Sequence, residues 1–403
     1  MSNYVVENSF TKRNLGFVKS LGALAAIGIL AGCGPTETSG PPPLSESAPK
    51  VLEGYAQIVA ATYGDVLADA TLLDKSLEAL VANPSDTSLA GAQKAWRDAR
   101  ISYGQSEAFR FYGGPIDETN GPEPRINAWP LDESYIDYVE GQPMAGIIND
   151  PTTYPTIDQP LLIALNEKDG EKNIAAGYHA LEFLLWGQDM NVDGPGNRPF
   201  TDYVMGATGT AMNQDRRGAY LVTTGKLLIA DFTPVVAEWA EGGAYRTSFV
   251  KLAPEEGLRR ILLGMGSLSG AELAGERMQV AYDTKEQEDE HSCFSDNTIQ
   301  DLANNARSIQ NVYLGKYGDL DVPGLDEIVR ERDPALDKRM QDNLAASIAA
   351  IEAIPAPFDQ AMKGVDTDPG RVAIAAAIKA LRTQTTTIVD IALLLGISLN
   401  IEE

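Results

Sequence analysis

The sequence predicts an all-α protein made of two up-and-down helical bundles with about four long helices each. Three observations carry this. Apolar residues recur at steps of three and four through the long segments after residue 50, Pro, Gly and Asn collect in a few stretches, and no run alternates convincingly between apolar and polar residues as a half-buried strand would.

The N-terminus precedes the fold. Lys12, Arg13 and Lys19 are followed by an apolar run from Leu21 to Ala31 that ends in Leu30-Ala31-Gly32-Cys33. A basic flank, a short apolar core and small residues before a cut make a secretory signal. The run is well short of the roughly 20 apolar residues that span a bilayer. Its ending resembles the lipobox of bacterial lipoproteins, in which diacylglycerol alkylates the cysteine thiol before cleavage. Residues 1–32 are therefore expected to be removed, leaving the chain held to a membrane by lipid on Cys33. Two acyl chains on the thioether satisfy the need for more than one chain for stable anchoring. Gly34 is not the aspartate that retains lipoproteins at the inner membrane, which points to the outer membrane of a Gram-negative cell envelope. Residues 33–49, rich in Pro, Ser, Gly and Thr, read as a flexible tether.

The helices follow in order. Tyr55, Val59, Thr62 and Val66, then Leu73, Leu77 and Leu80, mark the first, which Pro84 breaks. Ser85-Asp86-Thr87 caps a second helix running through Trp96, Tyr103 and Glu107 to about Tyr112. Residues 113–157 form a long irregular stretch, of a length that is often functional in compact domains. A third helix is expected over about 171–186 and a fourth over about 213–240, separated by a polar Gly/Pro/Asn loop at 188–200. Four more are expected near 254–282, 297–314, 334–353 and 370–395. In the last, Ile374, Ile378, Leu381, Thr385, Ile388, Ala392 and Leu395 alternate steps of four and three as a bundle seam does. The N-terminal bundle thus covers 50–243 and the C-terminal bundle 244–403, with a boundary near 241–247.

Composition narrows the function. The formal charge is −25, and it becomes −27 without the signal, which holds three basic groups and one acidic group. Nucleic-acid binding needs clustered Lys and Arg and is not expected. With Cys33 lipidated, Cys293 is the remaining cysteine, so the mature chain has no internal disulfide. Only His179 and His291 are available to any site that uses imidazole.

The sharpest local feature is Gly177-Tyr178-His179-Ala180-Leu181-Glu182. On a helix, His179 and Glu182 share a face and can bind one metal, as Glu-x-x-His pairs do in di-iron bundles. Equally, they can be a partly buried hydrogen-bonded pair. Further ligands are required, and Glu107, with small and aromatic neighbours, is the best candidate. Asp98 is weaker, because Arg97 and Arg100 suggest a surface pair. Gly177 should have something packed close to it, and Trp186 lies one heptad beyond His179. Arg125 either faces an anionic ligand or braces Asp132. Around His291, Ser295 and Asp296 are candidate helix caps or supports for the site, and Cys293 lacks the partners of a protease nucleophile. Asp189, Asn191 and Asp193, followed by Gly194, match the first half of a calcium loop, but position twelve is Phe200. The alternative is an Asx turn.

Together these residues resemble the imelysin family, whose mark Gly-x-His-x-x-Glu stands here as Gly177, His179 and Glu182. The Gly177–Asp189 run, the Glu107 segment and His291-Ser292-Cys293-Phe294-Ser295-Asp296-Asn297-Thr298 look most like its iron-regulated branch. The resemblance covers nearly all of the mature chain. It implies a site at the interface of two bundles and a link to bacterial iron acquisition, with iron-uptake components as partners. The family also carries a peptidase label, although no His-Glu-x-x-His helix is possible here. Members often bear another His soon after the Ser-Asp-Asn-Thr run, where this chain has Ile299 and Gln300.

The expectation is a binding protein that holds a divalent or ferric ion, iron before zinc, or an iron-bearing ligand, through His179, Glu182 and Glu107. The alternatives are a metal-dependent peptidase using the same pair, or a docking lipoprotein without metal.

Overall fold

The computed structural model describes residues 42–401. The signal segment, Cys33 and most of the tether lie outside them. Among the described residues seven long helices and one short one, α3, dominate: α1 (Leu44–Ala82), α2 (Asp86–Gly104), α3 (Gly177–Trp186), α4 (Gln214–Trp239), α5 (starting as Pro254–Ser267), α6 (Thr298–Leu314), α7 (Pro334–Glu352) and α8 (Pro369–Leu394). Among the described residues, the strands are a two-residue antiparallel pair, with Lys316 opposite Asp321 and Tyr317 opposite Leu320. The chain is all-α, as its periodicity predicts.

α1 packs along α2 and α4, with α3 wedged between α2 and α4. In the second half α7 pairs with α8, and α6 lies against α7 and α2. The α2–α6 and α1–α5 contacts join the halves directly. α1 begins at Leu44, so the tether is shorter than its composition suggests. Ser85 caps α2 in a reciprocal box with Ser88.

Two boundaries differ from expectation, each for a tertiary reason, and one helix changes its hydrogen-bonding pattern along its length. α2 stops at Gly104, where a Cβ would stand 2.8 Å from Asn304 Cβ of α6. The chain then forms a separate 3-10 turn, Glu107–Phe109, so Glu107 is not on the helix. α3 starts at Gly177 rather than near 171. Gly177 has φ +89°, and a Cβ there would meet Ile126 O at 2.5 Å, so residues 171–176 approach as irregular chain across the 123–126 turn. α5 does not continue as plain α-helix. It passes into a π-helix, Leu268–Gln279, before a last turn at Val280–Thr284.

All ten residues of α3 are buried. Large apolar side chains so buried contribute on the order of 1.5–3 kcal/mol each. A short helix surrounded on every side is therefore fixed by its neighbours, and its polar residues are fixed with it.

Candidate metal-binding site

α3 carries His179 into the interior, where it is 2% exposed, and Glu182 is wholly buried. His179 Nδ1 lies 2.8 Å from Glu182 Oε2. Glu182 Oε1 accepts from Ser295 N at 3.0 Å and Ser295 Oγ at 2.7 Å. Ser295 is thus not a helix cap: α6 starts after Asn297 with no side-chain cap, and Ser295 ties the segment before α6 to α3. Asp296 beside it takes φ +57° and leaves Oδ1 buried without a partner.

The same segment brings His291 to His179, with ring centroids 4.9 Å apart and planes at 80°. His291 Nδ1 lies 3.1 Å from Asp301 Oδ2, and Trp129 packs edge-on to the ring at 5.1 Å. Asp301 also takes Arg100 Nε at 3.1 Å and Nη2 at 3.0 Å, Ser292 Oγ at 2.5 Å and Asn297 Nδ2 at 3.0 Å. Arg100 is therefore not half of a surface pair with Asp98, which bonds Lys94 instead.

The two imidazoles are alike in arrangement. Each has Nδ1 against a carboxylate, and each Nε2 is buried with no hydrogen-bond partner. Both histidines, together with Trp129, Cys293 and Glu290, line one cavity of about 20 Å³, room for a single ion or water. Both Glu290 oxygens are also buried and unpartnered. Burial lowers the pKa of His179 and of His291 well below the usual imidazole range, so both rings stay neutral. Burial raises Glu182 to about 8 against the pull of Ser295, while Asp301, despite its own burial, is held far below the carboxylate range by Arg100 and His291.

Glu107 does not join this group. Its Oε2 accepts from Arg110 Nη1 at 2.8 Å and from Arg277 Nη2 at 2.7 Å. Burial works to raise its pKa, but the two arginines hold it at about 2. Arg125 does not brace Asp132. It is bidentate to Asp231 of α4, at 2.6 and 3.3 Å. Trp186 sits at the far end of α3, edge-on to Trp96 at 5.3 Å. Asp189 accepts from Asn191 N at 3.0 Å in an Asx turn and from Gln287, and Asp193 is exposed. Among the described residues no three His, Cys, Asp or Glu side chains already converge as a complete metal cage. Glu290, Asp301, Arg100 and Arg277 carry no local signal that singles them out. Only the scarcity of histidine hinted that His291 would reach His179.

An all-helical body with a buried two-histidine cavity, each ring held by a carboxylate, defines the class. The imelysin family model matches residues 59–388, and the chain belongs to the imelysin family. It is 24% identical over 351 residues to iron-regulated protein A of Synechococcus elongatus, covering 84% of each. Two solved structures share the fold. A candidate iron-regulated protein A precursor from Parabacteroides distasonis has TM-score 0.69 and 20% identity, over 90% of this chain and 98% of that one. An imelysin-like protein from Psychrobacter arcticum has TM-score 0.64 and 13% identity, over 90% and 99%.

Proposed function

We propose that this protein binds iron as an ion at the His179–His291 cavity, as a lipid-anchored member of the cell envelope serving iron acquisition. The observation that carries the reading is the pair of buried Nε2 atoms without partners. A buried polar atom left unpaired costs about 1–3 kcal/mol, and two of them beside one ion-sized cavity call for a shared occupant. Each Nδ1 is oriented by a carboxylate, the arrangement that metal-binding imidazoles commonly show. His179 and His291 would hold the metal. Glu290, which lines the same cavity and has both oxygens buried without partners, is a further donor. Glu182 and Asp301 aim the rings rather than bind. The Synechococcus elongatus relative is named for iron regulation, which is consistent with an iron-linked role.

Calorimetric titration of the mature protein with ferric citrate, ferrous ion and zinc tests this. His179→Ala and His291→Ala should each weaken binding by more than about 100-fold, beyond the roughly 10–100-fold expected for losing a hydrogen-bonding support, with helix content unchanged. Wild type that binds none of the three, or either variant binding as wild type does, ends the proposal. Peptide cleavage that chelator abolishes would instead favour the peptidase alternative. Anchoring is tested separately: Cys33→Ser should abolish diacylglycerol labelling and release the chain from membranes.

A further inference from the structure

A second cleft, of about 330 Å³, opens at the C-terminal end of α3, away from the histidine cavity. Its floor is built around Arg198. The backbone of Arg198 is clipped to the end of α3 by its N–H to Trp186 O at 2.8 Å. Its guanidinium packs over the rings of Tyr138 at 5.0 Å and Phe183 at 5.2 Å, which fix its plane. Nη1 donates to Asp137 at 2.8 Å and Asp202 at 3.2 Å. Nε and Nη2, the other edge of the fork, are buried and have no partner.

Neither aspartate can serve that edge. Asp137 already accepts two bonds from Arg217 and one from Asn149, and Asp202 is taken by Tyr138 and Thr210. Gly187, which also lines the cleft, lies against the free edge: a Cβ there would stand 3.7 Å from Arg198 Nε. Gly187 brings no side chain against that edge, which is buried rather than open to solvent.

We propose that this cleft binds an organic monocarboxylate, with its two oxygens on the Nε–Nη2 edge of Arg198. Two parallel N–H···O bonds to a planar carboxylate are what that edge of a guanidinium is shaped for. The local charges decide between anions. Arg198 and Arg217 are balanced by Asp137 and Asp202, and Glu140 stands on the cleft wall, so one added negative charge is tolerated and a phosphate dianion is repelled. Trp186, Tyr138, Met190 and Pro199 supply apolar wall, so the carboxylate should carry an aromatic or aliphatic body.

The probes are phenylacetate, its neutral amide phenylacetamide and inorganic phosphate, titrated calorimetrically into the mature protein. Phenylacetate should bind with a Kd on the order of 1 mM, as suits so small a ligand, and the amide and phosphate should not bind measurably. Arg198→Lys keeps the charge beside Asp137 but removes the fork, and should weaken phenylacetate at least about tenfold. Glu140→Gln removes a like charge from the wall without touching Arg198 and should tighten binding severalfold. His291→Ala should leave binding unchanged, which keeps this site independent of the histidine cavity. If Arg198→Lys does not fold, the acid–amide comparison and Glu140→Gln decide the question. Silence from phenylacetate, equal binding of its amide, or binding of phosphate as tight as phenylacetate overturns the proposal.

Discussion

Two of the buried clusters of charged side chains are built on different plans. Around Glu107 the carboxylates face arginines. Arg277 reaches Glu107 and, five residues back along the π-helix, Glu272 at 2.8 Å, while Arg110 reaches Glu107 and Glu123. Around His179 the side chains of Glu182 and Asp301, the latter also bound by Arg100, hold imidazoles by Nδ1 and leave both Nε2 atoms buried without partners in rings that line one cavity. The first cluster is a strut that ties the turn after α2 to α5. The second leaves two imidazole nitrogens without a partner. Unpaired atoms alone do not distinguish the two, since Glu107 Oε1 and Arg110 Nε are also buried without partners; the imidazoles and the small cavity they line do.

The sharpest way to break the contrast is Glu107→Ala. Removing one partner of a buried ion pair strands the other, so it should cost about 3–5 kcal/mol of stability in urea denaturation, while the folded fraction keeps its metal affinity. A variant that stays stable and loses metal would make Glu107 a ligand and erase the distinction.

Glu182→Ala should do the reverse on a smaller scale. It aims His179 without binding the ion, so affinity should fall by about 10–100-fold, less than for either histidine. An equal loss would promote Glu182 to ligand.

Acidification sharpens the comparison further. The two buried imidazoles have folded pKa values below their unfolded value of about 6.5. The stability they contribute is complete above that value and is lost as pH falls below it, because the unfolded chain takes up protons first. Glu182, raised to about 8, contributes stability that is present in acid and lost as pH rises through about 8. A thermal melt series should therefore peak between these limits. Metal affinity should hold below pH 6.5, where an exposed histidine would already have released its ion. Loss centred at 6.5 would mean that the rings are solvated.

The smallest effect is expected at the Asp189 turn. Asp189→Asn should leave the melting temperature unchanged in calcium and in chelator alike, and a calcium-dependent shift would restore the cation-loop reading of Asp189, Asn191 and Asp193.

Much of the fold is legible in the sequence because helical periodicity is a local property. The steps of three and four from Val51 onward, the Ser85 cap and the seam ending at Leu395 each depend on neighbours within a turn or two, and α1, α2, α4 and α6 to α8 follow them. Gly177, His179 and Glu182 were visible for the same reason: three residues apart on a helix is one face. What tertiary structure alone decided is who meets whom across the chain. Glu107 had the buried neighbourhood of a ligand, but Arg277 arrives 170 positions later on a π-helix and claims it. Ser295 resembled a cap, but its hydroxyl turns to Glu182, 113 positions away. His291 reads locally as part of an acidic turn. It becomes half of the site only because the segment before α6 folds onto α3, and a partnerless Nε2 can be recognised only when everything around it has been placed.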